Sequence, residues 1–290
     1  MKILILGAAG NLGTALSEIC AHKEDLTVIA WDKADIDVTD EGLVQKKVSE
    51  ILPDVIINLV AYNDVDGAEK DAGKKIATTL NVALVKSLAT IALNAGALFI
   101  HYSSDYVFRG DQEDGYKEND EPSPINVYGQ TKLDGEKELA KLAGRGLRWY
   151  LIRTSKLFGP KGTSKAAKPN FFELMYNLSK QAEPIKVISD EGGSFTYTLD
   201  LAQATLELIE HNNPLGVYHL INDGGASWFK VADYFFKKLN RTVELQAVSA
   251  ESFTRVAKRP KHSLLLNTKG PALRTWQTAV DDYILHEHFI

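Results

Sequence analysis

Short, almost wholly apolar runs recur along the chain at residues 3–6, 26–31, 55–59, 98–102, 149–153 and 217–221. Between most of them, apolar residues return every three or four positions. A continuous apolar run fits a strand covered on both faces, and the wider spacing fits a helix with one buried stripe. Their alternation predicts an α/β protein with a Rossmann-like doubly wound parallel sheet. Right-handed crossovers would bring the C-terminal ends of the strands to one edge, where ligands gather.

The first run passes directly into Gly7, Gly10 and Gly13, spaced G-x-x-G-x-x-G. A pyrophosphate needs bare backbone N–H groups and the positive end of a helix brought close, and glycine leaves both unobstructed. The second run ends at Asp32, about 20 residues further on, where a carboxylate can hold a ribose hydroxyl. Together these features predict a site for a nicotinamide dinucleotide. Asp32 repels a 2′-phosphate and Lys33 attracts one, so the two neighbours leave NADPH and NADH both open.

After Arg153 the alternation breaks. Residues 158–170 read FGPKGTSKAAKPN, and the rest of the chain mixes short helices with turns. This predicts a smaller, discontinuous C-terminal substrate domain. Residues 1–154 and 199–222 would form the dinucleotide-binding domain, and 155–198 with 223–290 the substrate domain.

The 290 residues suffice for one large core or two unequal domains, and the net charge of -5 gives no basic field, so no nucleic-acid partner is expected. No unbroken apolar run approaches the roughly 18 residues of a membrane span, and the N-terminus lacks the marks of a secretory signal. These features predict a cytoplasmic protein without a membrane partner. Cys20, the single cysteine, is expected as a small buried apolar residue. His286 and His288 would lie on different faces of a helix, and no metal is expected.

Tyr128 and Lys132 form a Y-x-x-x-K pair, which a helix sets one turn apart on one face. A nearby cation favours phenolate, so such a tyrosine can pass a proton to a carbonyl oxygen. Tyr176–Lys180 and Tyr234–Lys238 match the same spacing. Position selects Tyr128, which opens a helix downstream of the fourth strand. That strand ends HYSSDYVF, residues 101–108, and sends Ser104 and Asp105 to the ligand edge. No G-x-S-x-G elbow is present, which disfavours a nucleophilic serine.

The glycine loop, SSDYVF and PSPINVYGQTK together resemble the extended short-chain dehydrogenase/reductase family over nearly the whole chain. Further matches are Asp37-Val38, Ala61-Tyr62-Asn63, Arg153-Thr154-Ser155, residues 216–220 (GVYHL) and Arg259-Pro260. The resemblance implies an NAD(P)H-dependent oxidoreductase acting on the 4-keto group of a nucleotide-linked 6-deoxysugar. The leading substrate is dTDP-4-dehydro-6-deoxy-L-mannose, which would become dTDP-L-rhamnose. Tyr128 would protonate the carbonyl oxygen, Lys132 would hold the nicotinamide ribose and tune Tyr128, and Ser104 would polarise the carbonyl. The cofactor would touch Gly7, Gly10, Asn11, Leu12, Gly13, Asp32, Lys33, Asp37, Val38, Ala61, Tyr62, Asn63, Tyr102 and Lys132. The sugar nucleotide would touch Ser104, Asp105, Tyr128, Lys156, Asn170 and Arg259.

Lys156 stands where near relatives in that family carry a tryptophan, which puts the sugar in question. Residues 161–170 form a longer, more basic loop, with Lys161, Lys165 and Lys168 as candidates for the diphosphate. Ala15 replaces an acidic residue tied to a magnesium-bridged dimer, so a monomer or weak homodimer is expected. The same resemblance leaves open a sugar-nucleotide epimerase or dehydratase, told apart by stoichiometric use of NAD(P)H. It also leaves open a regulatory subunit like the methionine adenosyltransferase beta subunit.

Overall fold

The computed structural model describes residues 1–164, 169–181, 183–287 and 289. Five strands, β1 (Lys2–Leu6), β2 (Thr27–Trp31), β3 (Val55–Asn58), β4 (Leu98–Ser104) and β5 (Trp149–Thr154), join strand Gly216–His219 in a six-stranded sheet. Its order, from Gly216–His219, is β5, β4, β3, β1, β2, and every pairing is parallel. Each strand coincides with an apolar run read from the sequence, to within one or two residues.

The continuous runs are explained by the layers. Ile3 and Ile5 belong to a core on one face, which also holds Leu12, Leu16 and Leu206. The alternate residues Leu4 and Leu6 belong to a second core on the other face, with Val44, Leu88 and Leu139. The first core is closed by α1 (Asn11–Ala21) and α7 (Thr198–Glu210), the second by α2 (Glu41–Ile51), α4 (Leu84–Ala95) and α5 (Val127–Ala143). Cys20 is buried in the first core, and burial pushes its thiol up to about 11. Ala15 is buried on α1 in the same core.

Helix α3 (Asp71–Thr78) runs through a five-residue π segment, Thr79–Ala83, into α4. The joined helix Asp71–Ala95 is long and apolar enough, by length and composition, to cross a membrane. In sequence the stretch is not an unbroken apolar run, because Lys74, Lys75 and Lys86 interrupt it without ending the helix. Its apolar residues Leu84, Val85, Leu88 and Ile91 are buried against the sheet.

The C-terminal part is built from helices α6 (Phe171–Leu178), α8 (Trp228–Lys238) and α9 (Trp276–His286) around a third core rich in aromatics, including Phe172, Phe235, Trp276 and Tyr283. Small sheets accompany them. Gly192–Ser194 pairs with Gly225–Ser227 and His262–Ser263, and Ile185–Ile188 pairs with Leu245–Val248.

The sheet order reverses direction between β1 and β3. In an open α/β sheet that switch point, at the C-terminal ends of the strands, is where a crevice opens.

Candidate active site

At the switch point β1 gives way to Gly7, whose φ of 82° lies in the left-handed region that glycine enters without strain. Its N–H donates to the Trp31 carbonyl at 2.8 Å. A Cβ on Gly13 would sit 2.5 Å from the Gly7 carbonyl oxygen and 2.6 Å from Ala8 Cα, so α1 starts this close to the loop only with glycine there. Gly10 caps α1 without a side-chain hydrogen bond. The first-turn N–H groups of Asn11 and Leu12 therefore face an outside acceptor at the positive end of the helix. A cradle that a Cβ would fill, lined by such donors, fits a pyrophosphate.

Asp32 follows β2 half-buried, its N–H donating to Asp35 Oδ2 at 2.8 Å, and Lys33 beside it is exposed. The Asp37 carboxylate accepts from Thr39 N at 2.9 Å and Thr39 Oγ1 at 2.7 Å, which hold it below its ordinary range. Val38 packs against the core between the sheet and α2. Ala61 and Tyr62 are half-buried and Asn63 exposed on the segment after β3, at the same edge of the sheet.

β4 runs two residues past its apolar stretch, so Ser103 and Ser104 stand on the strand. Ser104 Oγ accepts from Tyr106 N at 3.1 Å and donates to Asp105 Oδ1 at 2.9 Å. Helix α5 begins beside this turn, with Asn126 Oδ1 accepting from Gly129 N at 2.7 Å as its cap. A Cβ on Gly129 would lie 2.1 Å from the Tyr106 carbonyl oxygen. Glycine at that position lets the first turn of α5 lie on the Ser104 turn, and it brings Tyr128 to Ser104.

The Tyr128 ring packs edge-on against Tyr106 at 5.7 Å, and its hydroxyl donates to Asn63 Oδ1 at 3.5 Å. Burial pushes its phenol up to about 12; a hydrogen bond with Ser104 works against that rise and the charge of Asp105 adds to it. Lys132, buried one turn along, donates from Nζ to the Tyr102 carbonyl at 2.6 Å. Burial pulls its ammonium down to about 8, against the opposing charge of Glu136. Tyr102 serves the site through that carbonyl. Its own hydroxyl lies 2.6 Å from Thr205 Oγ1 in the opposite layer.

Asp105 is the hub of the neighbouring polar group. Its Oδ2 accepts from Ser155 Oγ at 2.7 Å and lies 3.7 Å from Lys156 Nζ. Arg259 is engaged by Asp66, with contacts of 2.8 and 3.2 Å, and Ala257 N donates to the same carboxylate at 2.9 Å. Asn170 caps α6, and its amide donates to the Gly159 carbonyl at 3.0 Å and to Tyr283 Oη at 2.7 Å. Those partners tie it to the C-terminal core rather than to the Tyr128 group.

The described part of the basic loop lies on the glycine cradle. Gly162 N donates to Asn11 Oδ1 at 3.0 Å and Ser164 N to the Ala9 carbonyl at 2.9 Å, while Lys161 is exposed. Lys165, Lys168 and His288 fall outside the described residues. Among the described residues no cluster of three or more His, Cys, Asp or Glu side chains is arranged to hold a metal. The competing tyrosine–lysine pairs lie on α6 and α8, where Lys180 stands over the Tyr176 ring at 4.7 Å and Lys238 over Tyr234 at 5.2 Å.

One contributor was missed in the sequence, and so was the role of another. Asn81, fully buried in the π segment, accepts from Tyr62 N at 2.9 Å and donates to Thr131 Oγ1 at 3.0 Å, joining the segment after β3 to α5 beside Tyr128. A lone asparagine inside the apolar stretch 80–85 was its only signal. Ser155, legible in the sequence only as part of the Arg153-Thr154-Ser155 match and without a role, holds Asp105.

The sheet, the glycine cradle at its switch point and the Tyr128–Ser104–Lys132 group on the same edge define an oxidoreductase of the extended short-chain dehydrogenase/reductase type. The family model for the RmlD substrate binding domain matches residues 1–288, and the chain belongs to that family. It is 32% identical over 289 residues to the spore coat polysaccharide biosynthesis protein SpsK of Bacillus subtilis (strain 168), covering 98% of this chain and 96% of that one. It is 32% identical over 295 residues to the dTDP-4-dehydrorhamnose reductase of Aggregatibacter actinomycetemcomitans, covering 96% and 97%. The crystal structure of dTDP-4-dehydrorhamnose reductase from Bacillus anthracis str. Ames in complex with NADP superposes with a TM-score of 0.89 at 33% identity, covering 98% of this chain and 99% of that one.

Proposed function

We propose that this chain is an NAD(P)H-dependent reductase of the 4-keto group of a nucleotide-linked 6-deoxysugar, converting dTDP-4-dehydro-6-deoxy-L-mannose to dTDP-L-rhamnose in the cytosol as a monomer or weak homodimer. The observation that carries this reading is the buried Tyr128, next to Ser104 and one helical turn from Lys132, beside a cradle that fits a dinucleotide. The names of its 32–33% identical relatives support the same reaction.

The dinucleotide, when bound, supplies a hydride to C4 of the sugar. The residues to hold it are Gly7, Gly10, Asn11, Leu12 and Gly13 at the pyrophosphate, Asp32 and Lys33 at the adenosine ribose, and Lys132 at the nicotinamide ribose. Tyr128, raised to about 12, stays protonated at neutral pH and delivers its proton to the carbonyl oxygen. Ser104 donates a hydrogen bond to that oxygen after releasing Asp105, which withdraws electron density from C4. Lys132 adds a positive charge one turn from the phenol as the proton leaves.

The test is the absorbance of reduced nicotinamide when the protein meets NADPH or NADH and enzymatically generated dTDP-4-dehydro-6-deoxy-L-mannose. Stoichiometric oxidation requiring both supports the reading, and sugar turnover without net oxidation would replace it with an epimerase. Tyr128→Phe is expected to lower kcat/KM by about 10²- to 10⁴-fold and to retain NADPH binding. Unchanged turnover would remove Tyr128 from the reaction.

A further inference from the structure

Lys156 leaves β5 with φ of 41°, a backbone region that lysine seldom occupies. Its ammonium is almost wholly buried where the C-terminal part meets the end of β4. Nζ donates to Ser263 Oγ at 2.9 Å and stands over the rings of Trp228 and Phe195, at 5.6 and 5.9 Å. A Cβ on Gly193 would strike it, so the pocket closes around the charge. A buried ammonium is retained only when paired. The partner is Asp105, 3.7 Å away, with Glu191 adding favourable charge.

Asp105 is held from three sides. Lys156 and Ser155 engage Oδ2, and Ser104 Oγ donates to Oδ1 at 2.9 Å. Fixing the carboxylate fixes the turn that carries Ser104, and the first turn of α5, which carries Tyr128, is seated on that turn at Gly129. The chain of contacts runs from Ser263 in the C-terminal part through Lys156 and Asp105 to the proton donor.

We propose that Lys156 is a positioning residue for the reduction, holding Asp105 and with it the turn of Ser104 in place beside Tyr128, so that both hydroxyls reach the carbonyl oxygen once substrate draws the Ser104 proton from Asp105. The proposal rests on the reductase reading above. It assigns Lys156 to the chemical step, in place of the direct sugar contact that the family resemblance suggests. Misalignment by a fraction of an ångström in such a group lowers the rate without loosening the substrate.

The experiment measures kcat and KM for dTDP-4-dehydro-6-deoxy-L-mannose in Lys156→Met, which keeps the stem, and in Ser155→Ala, which loosens Asp105 from its other side. Fluorescence titration with NADPH reports folding of each variant. The expected result is a fall in kcat of about tenfold in both, with KM within about twofold of wild type. Lys156→Met added to Asp105→Asn should cost nothing further, because the two act as one unit.

Unchanged kcat in a Lys156→Met protein that binds NADPH overturns the proposal, as does a rise in KM at constant kcat, which would make Lys156 a sugar ligand. If Lys156→Met fails to bind NADPH, Ser155→Ala decides, and unchanged kcat there overturns it. A wild-type protein that oxidises no cofactor with this sugar overturns the parent reading, and this one with it.

Discussion

Lys132 shows what a working side chain costs a fold. Burial takes its ammonium from 10.5 to about 8, because the low-dielectric interior disfavours charge and the Tyr102 carbonyl and Glu136 offset only part of that. Above the lowered value the native state gives up its proton before the unfolded chain does, so this group makes stability rise with pH between about 8 and 10.5. Below that window the whole penalty is present. Lys132→Met should therefore melt higher than wild type at neutral pH, the gap narrowing as pH approaches about 10, while turnover falls. Thermal melts across that range check it. A variant that melts lower at neutral pH would mean that the hydrogen bond to Tyr102 outweighs the desolvation.

Both ends of this pair were legible, since Y-x-x-x-K on a helix has only one geometry. The lysine's actual partner was not. Spacing puts Nζ near the phenol, and only the placement of β4 behind α5 offers it the Tyr102 carbonyl at 2.6 Å. Arg259 and Asn170 teach the same lesson in reverse, for the sequence shows a guanidinium and an amide but not the Asp66 carboxylate or the Tyr283 hydroxyl that engage them.

Among the helices, α5 is the one on which the site depends, and its seat is set by two glycines. A Cβ on Gly129 would lie 2.1 Å from the Tyr106 carbonyl, and one on Gly135 2.2 Å from that of Asn81. Gly129→Ala must push the first turn of α5 off the Ser104 turn and carry Tyr128 with it. The expected outcome is a fall in kcat of about 10²-fold with cofactor affinity held, the size of effect that misplacement by about 1 Å produces. Steady-state kinetics with an NADPH titration decide, and unchanged kcat would show that α5 tolerates the shift. Strands were read well because burial on both faces writes itself as an unbroken apolar run. The polar end of β4 at Ser103 and Ser104 lies beyond its apolar run, yet its place ahead of the next helix already marked it as the ligand edge.

For the molecule as a whole, the contact between Asp66 and the segment 253–261 ties the C-terminal part to the loop after β3. Asp66 accepts from Ala257 N at 2.9 Å and from Arg259 at 2.8 Å, and these donors hold its carboxyl below the ordinary range. Asn126 adds a second tie, donating to the Lys258 carbonyl at 2.8 Å. Asp66→Ala frees the segment at one point. We expect KM for the sugar nucleotide to rise about three- to tenfold, with little change in NADPH affinity, since the Asp66 carboxylate engages Ala257 and Arg259 and not the glycine loop. An equal loss of affinity for both ligands would show that the tie supports the whole crevice.

The parallel sheet, the dinucleotide cradle and the Tyr128–Lys132 pair follow from local rules: burial on two faces demands apolar runs, a pyrophosphate demands glycines at a helix start, and one helical turn demands a spacing of four. These are written in consecutive residues. The hub at Asp105 draws on residues 104, 105, 155, 156 and 263, and Asn81 reaches Tyr62 and Thr131 from a different helix. No local rule joins them, because their meeting is decided by which elements pack against one another, and that is settled only when the chain has closed around its cores.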